Sequence, residues 1–322
     1  MKTYKPINGS YVLSCILNNF DIGVVDTHFG YSRFNISSNK PILVIVDDER
    51  FFTKEQELQK LVKPNTFFLF KTKSQQSKSK IENSFVFEYL DILEDCFALN
   101  YTNFSPYKSN NPFNFICLNG KYTDTRKILV SELVKSGLAG KNFVSFSDYK
   151  KIKNVYRPDL SSYYKQPPDR VYSRIGNIPC TTNFKNFLHI SKKLPSKIVL
   201  MAETFQDVFY PCEKTFCAFF TNRVPITISS PDSNKKLSSE GFDLFEDIVN
   251  YDYDDIKGKK KRVKQCIIDN YNILSNGIKT DRSIIERTES NFNHLKNKWF
   301  LSKLKQLEKE VQIYSNGKTC KL

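Results

Sequence analysis

Between Lys197 and Ser229 the chain reads KIVLMAETFQDVFYPCEKTFCAFFTNRVPITIS, and this stretch limits the available folds more than any other. Ile198 to Ala202 is a nearly continuous apolar run, too short for a helix and apolar enough for a strand covered on both faces. Glu203 and Thr204 fall where that strand should end. After a loop, Glu213 and Lys214 open a helix-length apolar segment containing Phe216, Ala218, Phe219 and Phe220. Val224 to Ile228 then has the pattern of a second, parallel strand. Such a β-loop-α-β unit belongs to an open parallel sheet, in which ligands bind at the carboxyl ends of the strands. Glu203, Glu213 and Lys214 are expected there.

A Glu and a Lys at a helix start suit the recognition of phosphate and hydroxyl groups. The helix N-terminus offers partial positive charge and free N–H groups, the lysine adds a full charge, and a carboxylate accepts from sugar hydroxyls. The plain alternative makes Glu213 a helix-dipole residue and leaves Lys214 in solvent.

The 322 residues suit two domains better than one core. No apolar run approaches the roughly 18 residues of a membrane span, and the first residues lack a small-residue cleavage site, so a cytoplasmic, non-secreted chain is expected. Cys15, Cys96, Cys117, Cys180, Cys212, Cys217, Cys266 and Cys320 form no CxxC pair and read as reduced thiols. His28, His189 and His294 lie too far apart in sequence to suggest a metal cluster, and His189 reads as a core residue. The net charge of +15 invites a polyanionic partner. A residue usage rich in Lys, Asn, Ile, Phe and Tyr explains part of that excess without function, as the imprint of an AT-rich genome.

Along the chain, Ile22 to Val25, Ile42 to Val46, Phe67 to Phe70 and Phe85 to Phe87 are strand-like. The lysine- and serine-rich run 71–80 is expected to be a mobile surface loop. Asn100 to Asn114, rich in Asn and Pro, marks a linker. Phe115 to Leu118 follows as a strand, then a helix from about Arg126 to Ser136, with Arg126 in its first turn as a phosphate-ligand candidate. Helices are expected over 264–274 and, as one long element, over 283–313.

The segment IVLMAET…FYPCEKTFCAFFTNRVPITIS resembles the donor-binding half of the fucosyltransferase-like glycosyltransferases. In that family a strand ending in Glu is followed by a Thr-Glu-Lys helix start and a Val-Pro strand. Here these are Glu203, Cys212-Glu213-Lys214 and Val224-Pro225, with Cys212 departing from the usual hydroxyl residue. FICLNGKYTDTRKILVSEL, residues 115–133, resembles the family's second nucleotide-side element, and the pattern is closest to a virus-type branch. The resemblance spans roughly residues 113–275. It implies an α/β, GT-B-like architecture: two Rossmann-like domains with parallel sheets facing a central cleft, plus a long C-terminal helix. The expected divisions are 1–105 on the acceptor side, 106–280 for the nucleotide sugar, and 281–322 as a helix that can cross back.

It also implies transfer of a sugar from a nucleoside-diphosphate sugar co-substrate to a hydroxyl acceptor without a divalent metal. Arg126 and Lys214 would neutralise the diphosphate, and Glu213 and Glu203 would hold ribose or sugar hydroxyls. The base that takes the acceptor proton is sought in Asp47, Asp48 and Glu49, which end the run ILVIV, and then in Asp26 and His28. For two of these three acids, a helix N-cap and its first-turn acids is at least as good a reading.

Three rivals stay open. Asp252-Tyr253-Asp254 matches the Asp-x-Asp pattern of metal-dependent transferases. DNA could replace a glycan as acceptor, with 71–80 and Lys257 to Arg262 tracking phosphates. A degenerate transferase fold could serve as a non-enzymatic binding protein.

Overall fold

The structure is a computed structural model, and it describes residues 23–26, 41–46, 58–71, 73–90, 92–93, 113–119, 123–145, 174–175, 178–179, 196–204, 206–211, 213–279 and 281–315. The chain divides into two compact units, one of residues 1–100 with 300–322 and one of residues 101–299. Each contains a four-stranded, all-parallel sheet, and helices alternate with the strands in a mixed α/β arrangement.

In the first unit β1 (Gly23–Asp26), β2 (Ile42–Val46), β3 (Thr66–Phe70) and β4 (Ser84–Val86) lie side by side in chain order. The runs ILVIV and TFFLF are buried at every position, as strands of a parallel sheet covered on both faces must be. Between β3 and β4 the lysine- and serine-rich run forms a helix, α1 (Lys73–Ser79), rather than the mobile loop its composition suggests. Its polar groups are satisfied inside the fold. Gln76 Nε2 donates to the carbonyl and hydroxyl oxygens of Ser84, both at 3.0 Å, Gln59 Nε2 donates to Ser79 O at 2.8 Å, and Gln75 and Ser79 are buried.

The second unit contains β5 (Phe115–Cys117), α2 (Asp124–Lys135) and β6 (Phe143–Val144), then the hairpin strands β7 (Arg174–Ile175) and β8 (Ile178–Pro179). There follow β9 (Ile198–Ala202), α3 (Glu213–Phe220) and β10 (Val224–Ile228), giving the sheet order β10-β9-β5-β6. Asn222, at φ +51°, ends α3: the next residue's N–H, from Arg223, reaches back to Ala218 O at 2.9 Å in a left-handed closing motif. Four more helices complete this unit, α4 (Ser233–Ser239), α5 (Lys259–Asp269), α6 (Tyr271–Asn276) and α7 (Arg282–His294).

Helix boundaries also differ from the sequence expectation. α5 begins at Lys259, not Lys264, because Arg262, Val263, Cys266 and Ile267 form one buried stripe that draws the lysine run into the helix. The long final helix is interrupted by a π-helical turn, Leu295–Trp299, before α8 (Phe300–Ser315). That turn sets the Trp299 ring 4.8 Å from Phe216 of α3, and Trp299 Nε1 donates to Glu240 at 3.2 Å. α8 belongs to the first unit, where Tyr314 stacks on Phe85 at 5.0 Å and donates to Ser84 O at 2.8 Å. Among the described residues no helix is long and apolar enough to cross a membrane.

Arg287 of α7 ties that helix to the segment before the Tyr-rich turn. Its Nε lies 2.6 Å from Asp243 and a terminal nitrogen 2.7 Å from Asp247, while the guanidinium covers the Phe245 ring at 4.4 Å. Burial works against the Asp243 carboxylate, but hydrogen bonds from Arg287 and the Phe245 N–H outweigh it and hold its pKa below the usual value. The Arg287 hydrogen bond does the same for Asp247. Both acids therefore release protons more readily in the folded chain than in the unfolded one. Their stabilisation is complete above the ordinary carboxylate pKa of about 4 and is lost as pH falls through the depressed folded values. Arg287→Ala is expected to lower stability by about 1 kcal/mol at neutral pH and to flatten the acid-induced loss, read from urea unfolding between roughly pH 7 and pH 3.

Candidate ligand-binding crevice at the carboxyl ends of β5 and β9

The order of the second sheet locates the crevice. After β5 the chain crosses to β6 on one side, and after β9 it crosses to β10 on the other, so the direction of winding reverses between β5 and β9. At such a reversal the two connections diverge and leave a gap outside the carboxyl ends of the strands. The helices that follow these strands are α2 and α3, the two that carry the predicted basic residues.

Thr123 caps α2, its hydroxyl accepting from Arg126 N at 3.2 Å, so Arg126 is the third helical residue rather than the first. Its side chain crosses to the neighbouring strand. Arg126 Nε donates to Ala202 O at 3.0 Å, a terminal nitrogen donates to Thr204 Oγ1 at 3.1 Å, and the residue is wholly buried. A guanidinium has five donors in a fixed fork and can satisfy a strand end and a ligand together.

Glu203 is also wholly buried. Its N–H extends the ladder to Ile228 O at 2.9 Å, and its carboxylate accepts the hydroxyl of Thr215, in the first turn of α3. Lys214 precedes Thr215 and is 9% exposed, and Glu213 is the first residue of α3. The loop beyond Glu203 is closed by Gln206, whose Nε2 donates to Glu203 O at 2.9 Å and Ile228 O at 3.1 Å. Arg262 of α5 holds Gln206 in turn, a terminal nitrogen reaching its carbonyl at 3.0 Å and its side-chain oxygen at 3.2 Å while another reaches Ile256 O. Burial lowers the Arg262 pKa against the pull of Asp254 and Asp207.

On the β5 side, Asn119 stands just beyond the strand. Its Nδ2 donates to Ser145 O at 3.0 Å, and its buried Oδ1 has no hydrogen-bond partner among the described residues. Burial pushes the nearby Cys117 thiol up to about 12, against the Asn119 hydrogen bond and the charge of Arg126, so it stays protonated and is a poor nucleophile. Cys217 and Cys266 are likewise buried and in no disulfide.

Arg126, Glu203, Glu213 and Lys214 thus come from elements that adjoin this one boundary. Asp47, Asp48, Glu49 and His28 lie outside the described residues, and Asp26 ends β1. Thr204 stands with Glu203 at the strand end, as expected; sequence reasoning missed Gln206, Thr215 and Asn119, polar neighbours of the predicted residues that nothing in the spacing singles out. It also placed Arg262 in the run Lys257 to Arg262 that could track phosphates or be a solvated loop, whereas its side chain is buried against Gln206.

The Asp-x-Asp pattern separates in space. Asp252 is exposed, whereas the Asp254 carboxylate accepts from Asn234 N at 2.9 Å, Asn234 Nδ2 at 2.8 Å and Lys235 N at 3.3 Å. Burial raises the Asp254 pKa despite these donors. Among the described residues no group of three or more His, Cys, Asp or Glu side chains is arranged to hold a metal ion. No family model matches the chain, and no curated protein matches it either.

The buried guanidinium generates a stability prediction. Arg126→Met keeps the bulk, removes the charge and leaves Ala202 O and Thr204 Oγ1 without these donors, so it is expected to cost about 2–4 kcal/mol in urea unfolding. A loss below about 1 kcal/mol would mean that the strand end does not depend on this side chain.

Proposed function

We propose that this chain is a GT-B-like glycosyltransferase that moves a sugar from a nucleoside-diphosphate donor to a hydroxyl acceptor. One observation carries the reading: the winding of the second sheet reverses between β5 and β9, and Arg126 spans that boundary to Ala202 O and Thr204 Oγ1, on either side of Glu203, whose carboxylate meets the first turn of α3. Reversal points of parallel sheets accommodate nucleotides, and two helix N-termini with Arg126 and Lys214 supply the positive field that a diphosphate requires. Asn119 Oδ1 adds a buried acceptor on the β5 side, suited to a donor such as a hydroxyl or ring N–H.

In the proposed step the acceptor oxygen forms a bond to the anomeric carbon as the bond from that carbon to the diphosphate oxygen breaks. The acceptor proton must pass to a base, for which Asp47, Asp48 and Glu49 are the candidates that the sequence offers. Charge accumulates on the departing diphosphate, so cations fixed in advance favour the transition state over the bound donor. Arg126 and Lys214 provide this without a divalent ion, and Glu203 and Glu213 are assigned to the hydroxyls of the donor.

Thermal unfolding with UDP, GDP, CMP and dTDP and their sugars, with and without EDTA, tests the reading. Saturation at about 100 times Kd adds roughly 2.7 kcal/mol of apparent stability, a rise of several degrees. The expected result is a shift with one nucleoside diphosphate that survives EDTA, is lost in Lys214→Ala and is partly kept in Lys214→Arg. No shift with any of these ligands overturns the reading.

A further inference from the structure

The outer side of α5 remains after the crevice is accounted for. Lys260, Lys261 and Lys264 are exposed and fall within about 100° of the helix circumference. Lys257 joins them from just before the Gly258 cap. Among the described residues none of the four meets a carboxylate, whereas Lys259 pairs with Asp207 at 2.8 Å and Arg262 turns inward. The first turn of α5 holds no acid, and Gly258 provides no side-chain cap. Lysines clustered there oppose both the helix dipole and one another, a strain that a bound polyanion relieves.

We propose that the face formed by Lys257, Lys260, Lys261 and Lys264 is a docking surface for the phosphate backbone of nucleic acid. Three observations favour this partner. The apolar stripe of α5, Val263, Cys266 and Ile267, is buried in the core of its unit, so that stripe does not enter a bilayer. Ile268 is exposed at the end of α5 and Tyr271 at the start of α6, one turn or more beyond Lys264, and no aromatic ring stands among the four lysines to stack on bases, so the face meets phosphates rather than sequence. The chain's net charge of +15 adds the long-range attraction that a polyphosphate exploits best.

The surface adjoins the crevice: Lys259 and Arg262, on the same two turns, hold Asp207 and Gln206 in the loop beyond Glu203. Its binding is nevertheless independent of the transferase reading, since it rests on charge and exposure alone.

The test is fluorescence anisotropy of a labelled 20-base-pair duplex, titrated with the full chain across a salt series. The quadruple variant Lys257→Ala, Lys260→Ala, Lys261→Ala, Lys264→Ala should bind at least tenfold more weakly at low salt. The slope of log K against log salt should fall by about 0.9 for each phosphate that the variant no longer neutralises, up to roughly 3–4 in all. A control removing the same charge elsewhere, Lys279→Ala, Lys298→Ala, Lys305→Ala, Lys309→Ala, should change binding by no more than about twofold. Circular dichroism confirms that both variants fold, as Ala preserves helix propensity at exposed positions. Equal losses in the two variants, or an unchanged salt slope in the first, overturn the proposal. So does lysine-dependent binding to phosphatidylserine vesicles without binding to the duplex, which would assign the face to a membrane.

Discussion

Strand β9 is held by arginines at both of its ends, and the second unit is built around that restraint. At the amino end Arg223 Nε donates to Ser196 O at 2.7 Å; at the carboxyl end Arg126 Nε donates to Ala202 O at 3.0 Å. Beyond it Arg262 takes Gln206 O at 3.0 Å. All three arginines are essentially without solvent contact. Withdrawing a guanidinium from water is unfavourable, and backbone carbonyls offset that penalty only when their geometry is good. The offset is greatest where the carbonyls have no other partner, which is the condition at the end of a strand. The arginines thus fix where β9 stops and which way the next residues leave.

The proposed site inherits this fixed point. Glu203 follows Ala202 directly, and its N–H to Ile228 O continues the ladder for one more residue, so the carboxylate cannot drift with its loop. Thr215 then connects that carboxylate to the first turn of α3. The sheet end, the loop and the helix start are thereby coupled through side chains from three segments, the rigidity that a site stabilising developing charge requires. The back of α3 is fixed separately: Phe219 stacks on Phe242 at 4.3 Å, and Phe216 meets Trp299.

What the sequence made legible was set by local periodicity. Apolar runs located β2, β3, β9 and β10 almost to the residue, because a strand covered on both faces leaves few polar positions to blur the pattern, Thr66 and Thr227 being the exceptions. The misreadings share a different cause. α1 is polar throughout, and its helix depends on Gln76 reaching Ser84 across a turn. The start of α5 depends on Arg262, an arginine that local pattern assigns to solvent and whose partner, Gln206, lies in a distant loop. Arg126, Glu203, Glu213 and Lys214 could be singled out because they sit at predicted element ends. Thr215 and Gln206, which hold Glu203, became visible only through tertiary contacts.

The Tyr-Asp-Tyr-Asp stretch shows how a motif can match a chemical pattern for a structural reason. β10 is an edge strand, and outward carbonyls on an edge invite pairing with another chain. Pro225 removes one outward N–H, and its carbonyl accepts the Tyr251 hydroxyl at 2.7 Å. Thr227 O accepts the Tyr253 hydroxyl and Asn234 Nδ2, each at 3.0 Å. For Tyr251 and Tyr253 both to reach the strand, the residues between and after them must alternate away, which leaves Asp252 in solvent and turns Asp254 toward α4. There Asp254 supplies the first-turn cap that Asp232, in a left-handed conformation at φ +60°, does not. Binding a metal through both acids would require releasing three N–H donors from Asp254 and exposing the edge of the sheet. The spacing therefore follows from covering β10, and the chemistry of this unit is better sought at the arginine-bound end of β9.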